Sequence, residues 1–373
     1  MVDNNLLHNA KIEKKYEFYT QFEDIQNEMN AYLEYNPDVF RDKTVLLPCD
    51  DPEWSNFTRF FAQNFERFGL KKLISTSYAA DSKNTNSFYQ PSIYEMSDIQ
   101  YDASKTRKNG KIFVLTRKNK KVDIHDLKWK YLEGDGDFRS EEVTRLRDES
   151  DIIITNPPFP LFREFLAWIL EKNKKFSIIG NQNSITYKEV FPLIKDNKIW
   201  LGKGFKGNVG YFNSPYEDIA KSSNHIKGKI RVSGVMWFTN LDHGRRHQKL
   251  SLMTMEDNLK FSKHKEIREQ GYPKYDNYDA IEVKYTDAIP SDYDGVMGVP
   301  ITFLDKYNPD QFEIIGRADA NIKDDAPDCY IPGFKDKGGA PLINNKFVYK
   351  RILIRKKRVM GTRMENYENN FGN

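Results

Sequence analysis

Ser150-Asp151-Ile152-Ile153-Ile154-Thr155-Asn156-Pro157-Pro158-Phe159 is a run of apolar, β-branched residues that closes on a polar, proline-rich tetrapeptide. The apolar run predicts a buried parallel strand. Such strands deliver the turns that follow them to the carboxyl edge of the sheet, where open α/β folds hold their ligands. Two consecutive prolines fix φ and remove two amide donors, so the turn is stiff and the Pro157 carbonyl points in a set direction. The side-chain carbonyl of Asn156 lies beside it in the chain, and Phe159 adds an aromatic face. Two acceptors and a ring make a receptor for a planar heterocycle with an exocyclic amino group, the shape of adenine. The plainer alternative is a Pro-Pro turn joining a strand to a helix that begins near Pro160.

On the carboxyl side of this stretch, Leu161, Phe162, Phe165, Leu166, Ile169 and Leu170 form a helical apolar stripe, followed by a strand at 176–180. Residues 198–201 and 232–238 read as the last strands of the sheet. On the amino side, residues 44–51, 56–68 and 72–76 read as strand with loop, helix and strand, with Gly69 as the helix C-cap. That is a βαβ unit, the minimal piece of a doubly wound sheet. Its first loop carries Cys49-Asp50-Asp51-Pro52 in place of Gly-x-Gly, which argues against a pyrophosphate cradle. A Gly/Asp turn at 132–138 contains Asp135 and Phe138 and precedes the central strand. Phe22, Ile25, Met29 and Leu33 mark an N-terminal amphipathic helix, with Phe18, Tyr19 and Thr20 just ahead of it. The pattern predicts an α/β, doubly wound, Rossmann-like sheet over residues 1–245 and a smaller region over 246–373.

Length and composition agree with this: 373 residues, 39% hydrophobic and 30% charged, are enough for one large domain and a smaller one. Two cysteines exclude a disulfide framework and a Cys-rich zinc site and fit a reducing compartment. The polar N-terminus and the lack of a run of about 18 apolar residues predict a soluble, cytoplasmic protein with no membrane partner. A net charge of +4 is a weak argument for a polyanionic ligand, so the placement of charge has to decide. Basic residues cluster at 105–121, at Lys203 and Lys206, at Arg245 and Arg246, and along a tail with Lys356, Lys357 and Arg358.

Two patterns are set aside. Residues 202–207 match Gly-x-Gly-x-x-Gly, but no helix follows them. His243 and His247 have helical metal-pair spacing, yet Gly244 intervenes and no third ligand is near in sequence, so no metal is expected.

The tetrapeptide is similar to the signature of amino-group methyltransferases that use S-adenosylmethionine. Together with Glu17-Phe18-Tyr19-Thr20, Cys49-Asp50-Asp51-Pro52, Gly69-Leu70-Lys71-Lys72-Leu73-Ile74 and residues 299–309, it resembles the EcoRI-type adenine-specific DNA methyltransferase family over most of the chain. The resemblance implies S-adenosylmethionine as cofactor, surrounded by Phe18, Tyr19, Thr20, Cys49, Asp50, Asp51, Asp135 and Phe138. It places a target adenine on Asn156, Pro157, Pro158 and Phe159. Double-stranded DNA would be the partner, with residues 246–373 as target-recognition region; the clustering of charge outside the predicted sheet, and not the resemblance, makes Lys203, Lys206, Arg245, Arg246, Lys356, Lys357 and Arg358 its expected contacts. A cognate restriction endonuclease would act separately, and a monomer is expected as the active form. Methylation of RNA or of a protein glutamine amide, and an inactive DNA-binding homologue, are the alternatives.

Overall fold

A computed structural model describes residues 19–53, 55–79, 100–117, 128–213, 229–320 and 325–357. The chain divides into two compact units, Met1–Arg246 and His247–Asn373. Among the described residues no helix is long and apolar enough to cross a membrane.

The strands of the first unit are β1 (Tyr19–Thr20), β2 (Thr44–Leu47), β3 (Lys72–Thr76), β4 (Lys111–Thr116), β5 (Trp129–Tyr131), β6 (Ile152–Thr155), β7 (Lys175–Asn181), β8 (Trp200–Leu201), β9 (Val209–Asn213), β10 (Lys229–Ser233) and β11 (Val235–Thr239). Eight of them form one sheet in the order β5-β4-β3-β2-β6-β7-β11-β8. Its centre, β3-β2-β6-β7, is parallel, while β4, β5, β11 and β8 join antiparallel at the two sides. β2 and β6 are buried at every position, as strands covered on both faces must be, and this is why they read as unbroken apolar runs.

Helices α1 (Phe22–Tyr35), α2 (Asn56–Gln63), α3 (Glu141–Glu149) and α4 (Phe162–Leu170) contribute the covering layers. Ile25 and Met29 of α1, Phe57, Phe60 and Phe61 of α2, and Val45, Ile152 and Ile154 of the sheet belong to one apolar core. The Ser55 and Ser140 side chains accept amide hydrogens of Phe57 and Val143, capping α2 and α3. α2 stops at Gln63, short of the Phe68 expected from periodicity. There the Asn64 side chain donates to the Phe60 carbonyl (2.9 Å), and the chain turns to Gly69 at φ 62°. The expected strand at 232–238 is likewise two strands. Gly234, at φ 70°, separates β11 of the main sheet from β10, which pairs with β9 at one edge of a three-stranded antiparallel sheet of order β1-β9-β10.

The Gly-x-Gly match also has a physical explanation. Lys203 and Gly204 donate their amides to the buried Glu28 carboxylate of α1 (3.1 and 3.0 Å), and a Cβ at Gly202 would collide with Glu28 Oε1. The concave amide site is therefore filled by the chain's own carboxylate. Glu28→Gln turns an amide nitrogen toward one of those N–H groups and should lower unfolding free energy by about 1 to 3 kcal/mol, measurable by urea denaturation.

In the second unit, β12 (Ala280–Glu282), β13 (Val296–Pro300), β14 (Phe312–Ala318) and, beyond a two-stranded ribbon of β15 (Leu342–Ile343) and β16 (Lys346–Phe347), β17 (Arg351–Lys356) are the strands. Four of them form a sheet in the order β12-β13-β17-β14. A buried Arg351–Glu282 pair (2.6 Å), which also receives the Tyr275 hydroxyl, links the last of these strands to the first.

Candidate active site

β2 and β6 are neighbours, and from this pair the chain winds outward in both directions, to β3 on one side and β7 on the other. The gap at their carboxyl ends is the switch point of the sheet, where doubly wound folds bind ligands. The loop after β2, residues 48–55, and the tetrapeptide after β6, residues 156–159, lie at these ends.

Asp50 links the two. It is 5% exposed, its Oδ2 accepts from the Thr155 hydroxyl (2.6 Å), and its Oδ1 accepts from the Ser55 hydroxyl (2.7 Å). Its amide donates to the Thr76 carbonyl (2.9 Å), and its own carbonyl accepts from Ser75 Oγ. One residue therefore ties the first loop to β3, to the cap of α2 and to the last residue of β6. Burial pushes its carboxyl up to about 7, opposed by the Thr155 and Ser55 hydroxyls. Asp51 is half-buried and accepts the Glu53 amide (2.9 Å), closing the turn. Glu53 in turn pairs with the largely buried Lys111, whose ammonium lies 4.4 Å from the centre of the Trp129 ring.

After Asp50 and Thr155 comes the tetrapeptide. Asn156 is half-buried with Oδ1 out of solvent, Pro157 is buried, and the Pro158 carbonyl accepts the Leu161 amide (2.9 Å). Phe159 opens a single 3-10 turn ahead of α4, is half-buried, and packs on the core. On the β3 side, the Asp135 carbonyl accepts the Ala79 amide (2.7 Å), while its Oδ1 accepts the Asp137 amide (3.0 Å). Gly136 at φ 80° allows this approach, since a Cβ there would collide with the Ser77 carbonyl. The Thr20 carbonyl accepts from the Asn56 side chain (2.8 Å), which fixes β1 to the start of α2. Thr20 Oγ1 is buried and has no hydrogen-bond partner among the described residues.

The family model for the adenine-specific methyltransferase EcoRI matches residues 6–357. The chain belongs to this family. It is 43% identical to the Type II methyltransferase M.EcoRI of Escherichia coli, over 95% of this chain and 98% of that protein. It is 31% identical to the Type II methyltransferase M.MgeORF184P of Mycoplasma genitalium, over 94% and 98% of the two chains. The Type II methyltransferase M.MpnI of Mycoplasma pneumoniae is 35% identical, over 82% and 83%. No solved structure matches at a significant level. The chain is thus an adenine-specific methyltransferase, an enzyme that needs a methyl donor.

Several of the expected site residues make contacts within the chain. Asp50 has both carboxylate oxygens engaged by Thr155 and Ser55, which gives it a part in positioning the loops. The Phe138 ring packs edge-on against Phe165 and Trp168 and is 5% exposed, which makes it core. Burial and the Asp50 charge push the Cys49 thiol up, so it is a neutral group in the first loop. Thr155, Ser55 and the Lys111–Glu53 pair were not singled out from sequence. Of these, only Ser55 had a local signal, as a serine preceding a helix.

The expected basic contacts also divide. Arg246 is buried, lies 3.9 Å over the Trp200 ring, and bonds Asn197 and Asp242. Its charge is thus engaged inside the unit. Arg245 donates to the Lys203 carbonyl, and Lys356 donates to the Ser291 carbonyl. Lys203, Lys206 and Lys357 are exposed. Phe18 and Arg358 lie outside the described residues, as do Lys118, Lys120 and Lys121 of the basic cluster at 105–121. His243 is buried with Nε2 2.9 Å from the Leu201 carbonyl, and burial lowers its pKa.

Proposed function

We propose that the chain methylates the exocyclic amino nitrogen of an adenine turned out of double-stranded DNA, with S-adenosylmethionine as donor. The observation that carries this is the placement of residues 156–159 at the switch point, beside the first loop. The fit to the donor rests on Thr20 Oγ1, buried with no partner among the described residues, and on the edge carboxylates Asp51 and Asp135. Such groups suit a ligand with an ammonium, hydroxyls and an amino-bearing ring. Tyr19, Thr20, the loop at 48–51 and Asp135 would hold it. When bound, S-adenosylmethionine supplies an electrophilic methyl group.

The protein's work is on the nucleophile. The adenine amino nitrogen is weakly nucleophilic because its lone pair is delocalised into the ring. Asn156 Oδ1 and the Pro157 carbonyl, each accepting one amino proton, favour a pyramidal nitrogen with its lone pair aimed at the methyl group. No strong base is needed, because the nitrogen becomes acidic as it gains positive charge and can then lose its proton to a neighbouring acceptor or water. Phe159 would stack on the base, which must leave the duplex because its amino group is paired there. Residues 246–373 act as the target-recognition region on this reading, and the cytoplasm is where such DNA is met.

The test is to supply labelled donor with duplex DNA, RNA and protein in parallel. Label in DNA, recovered as N6-methyladenine, supports the proposal. Label in RNA or in a glutamine amide replaces it.

A further inference from the structure

The ribbon of β15 and β16 is joined by Asn344 and Asn345, with φ of 52° and 60°. Two consecutive residues at positive φ are what a type I′ turn requires, and asparagine tolerates that region. Leu342 faces Phe347, and Ile343 faces Lys346. The turn is held from behind: the Asp276 carboxylate accepts the amides of both Asn344 (3.2 Å) and Asn345 (2.7 Å). The Asp276 amide donates to the Leu342 carbonyl (2.8 Å), and Asn277 Oδ1 accepts the Leu342 amide (2.9 Å). The buried Asn277 also donates to Asp336 (2.9 Å) and to the Ala340 carbonyl (2.8 Å), so the segment before the ribbon is fixed to the same anchor.

This rigid backing presents an exposed face. Asn344, Asn345, Lys346 and Phe347 are all exposed, and Phe347 is 50% so. The Lys337 ammonium lies 4.6 Å from the centre of the Phe347 ring. Residues 330–357 contain eight lysines and arginines and one carboxylate, Asp336, which is buried and bonded to Tyr330. Arg351, Lys350 and Arg355 are balanced by Glu282, Asp319 and Glu313, whereas Lys335, Lys337 and Lys346 are exposed. A locally basic surface in a chain with a net charge of only +4 is complementary to a polyanion. A two-stranded ribbon fits the major groove, and asparagine amides there pair with the edge of adenine.

We propose that residues 342–347 read base edges in the DNA target, with Asn344 and Asn345 at the bases and Lys335, Lys337 and Lys346 along the phosphates. This rests on the DNA reading above. The first experiment methylates unmodified genomic DNA with full-length wild type and with Asn344→Gly/Asn345→Gly, then maps N6-methyladenine by sequencing. Glycine keeps the positive φ of the turn. Wild type should mark one motif, and the variant should lose about tenfold to 100-fold of the discrimination at one or two positions of it. The same motif with unchanged discrimination and DNA affinity would overturn the assignment. The second uses unaltered protein: photocrosslinking to duplexes carrying iodouracil in that motif should label the peptide containing Phe347 or Tyr349. Crosslinks confined to other peptides would overturn the assignment whatever becomes of the variant's fold. If wild type methylates no DNA at all, the functional reading falls, and the ribbon's role falls with it.

Discussion

Asn156→Ala is expected to slow methyl transfer by about 100- to 1000-fold, the loss typical of one oriented transition-state contact, while calorimetric affinity for S-adenosylmethionine stays unchanged. The substitution removes one of the two acceptors proposed for the amino protons. It leaves in place the bonds from Thr155 and Ser55 to Asp50 that tie the loops together. Pro157 still fixes its own carbonyl, and Phe159 still packs on the core. The defect should therefore appear in the transfer step alone.

Asp50→Asn has its expected effect on stability, and the effect depends on pH. An aspartate unfolds to a group with an ordinary pKa of 3.8, but in the folded chain burial raises it to about 7. Between these values the folded state binds the extra proton. The contribution of Asp50 to stability is thus fully present below about 4 and is lost as pH rises through about 7. Asparagine keeps the shape, bonds the Thr155 and Ser55 hydroxyls, and does not titrate. Relative to wild type, the variant should gain stability from pH 4 to pH 8, by roughly 4 kcal/mol at most. Urea denaturation of both proteins across that range measures it, and parallel curves would show that Asp50 titrates like an exposed carboxylate.

Much of the main sheet was legible because its central strands are buried on both faces. A run such as Ile152-Ile153-Ile154 has few other places to go. The stripe of α4 was equally plain, since five of its residues are buried at helical spacing. What escaped depended on single residues or on distant partners. The early stop of α2 turns on one side-chain bond from Asn64, and the break between β10 and β11 turns on Gly234. Asp50 reads as an edge carboxylate until Thr155, more than a hundred residues later, is placed against it. Arg246 reads as a surface charge until Trp200, Asn197 and Asp242 surround it. Polar residues are sorted between site and scaffold by such long-range contacts, which periodicity does not encode.

The most direct test is single-turnover methylation by wild type and Asn156→Ala, on duplexes whose target adenine is either paired or mismatched. A mismatch lowers the cost of turning the base out but does nothing for the chemistry that follows. The account predicts that Asn156→Ala remains about 100- to 1000-fold slower than wild type on both duplexes. A full rate on either duplex, or rescue of the variant by the mismatch, would contradict it.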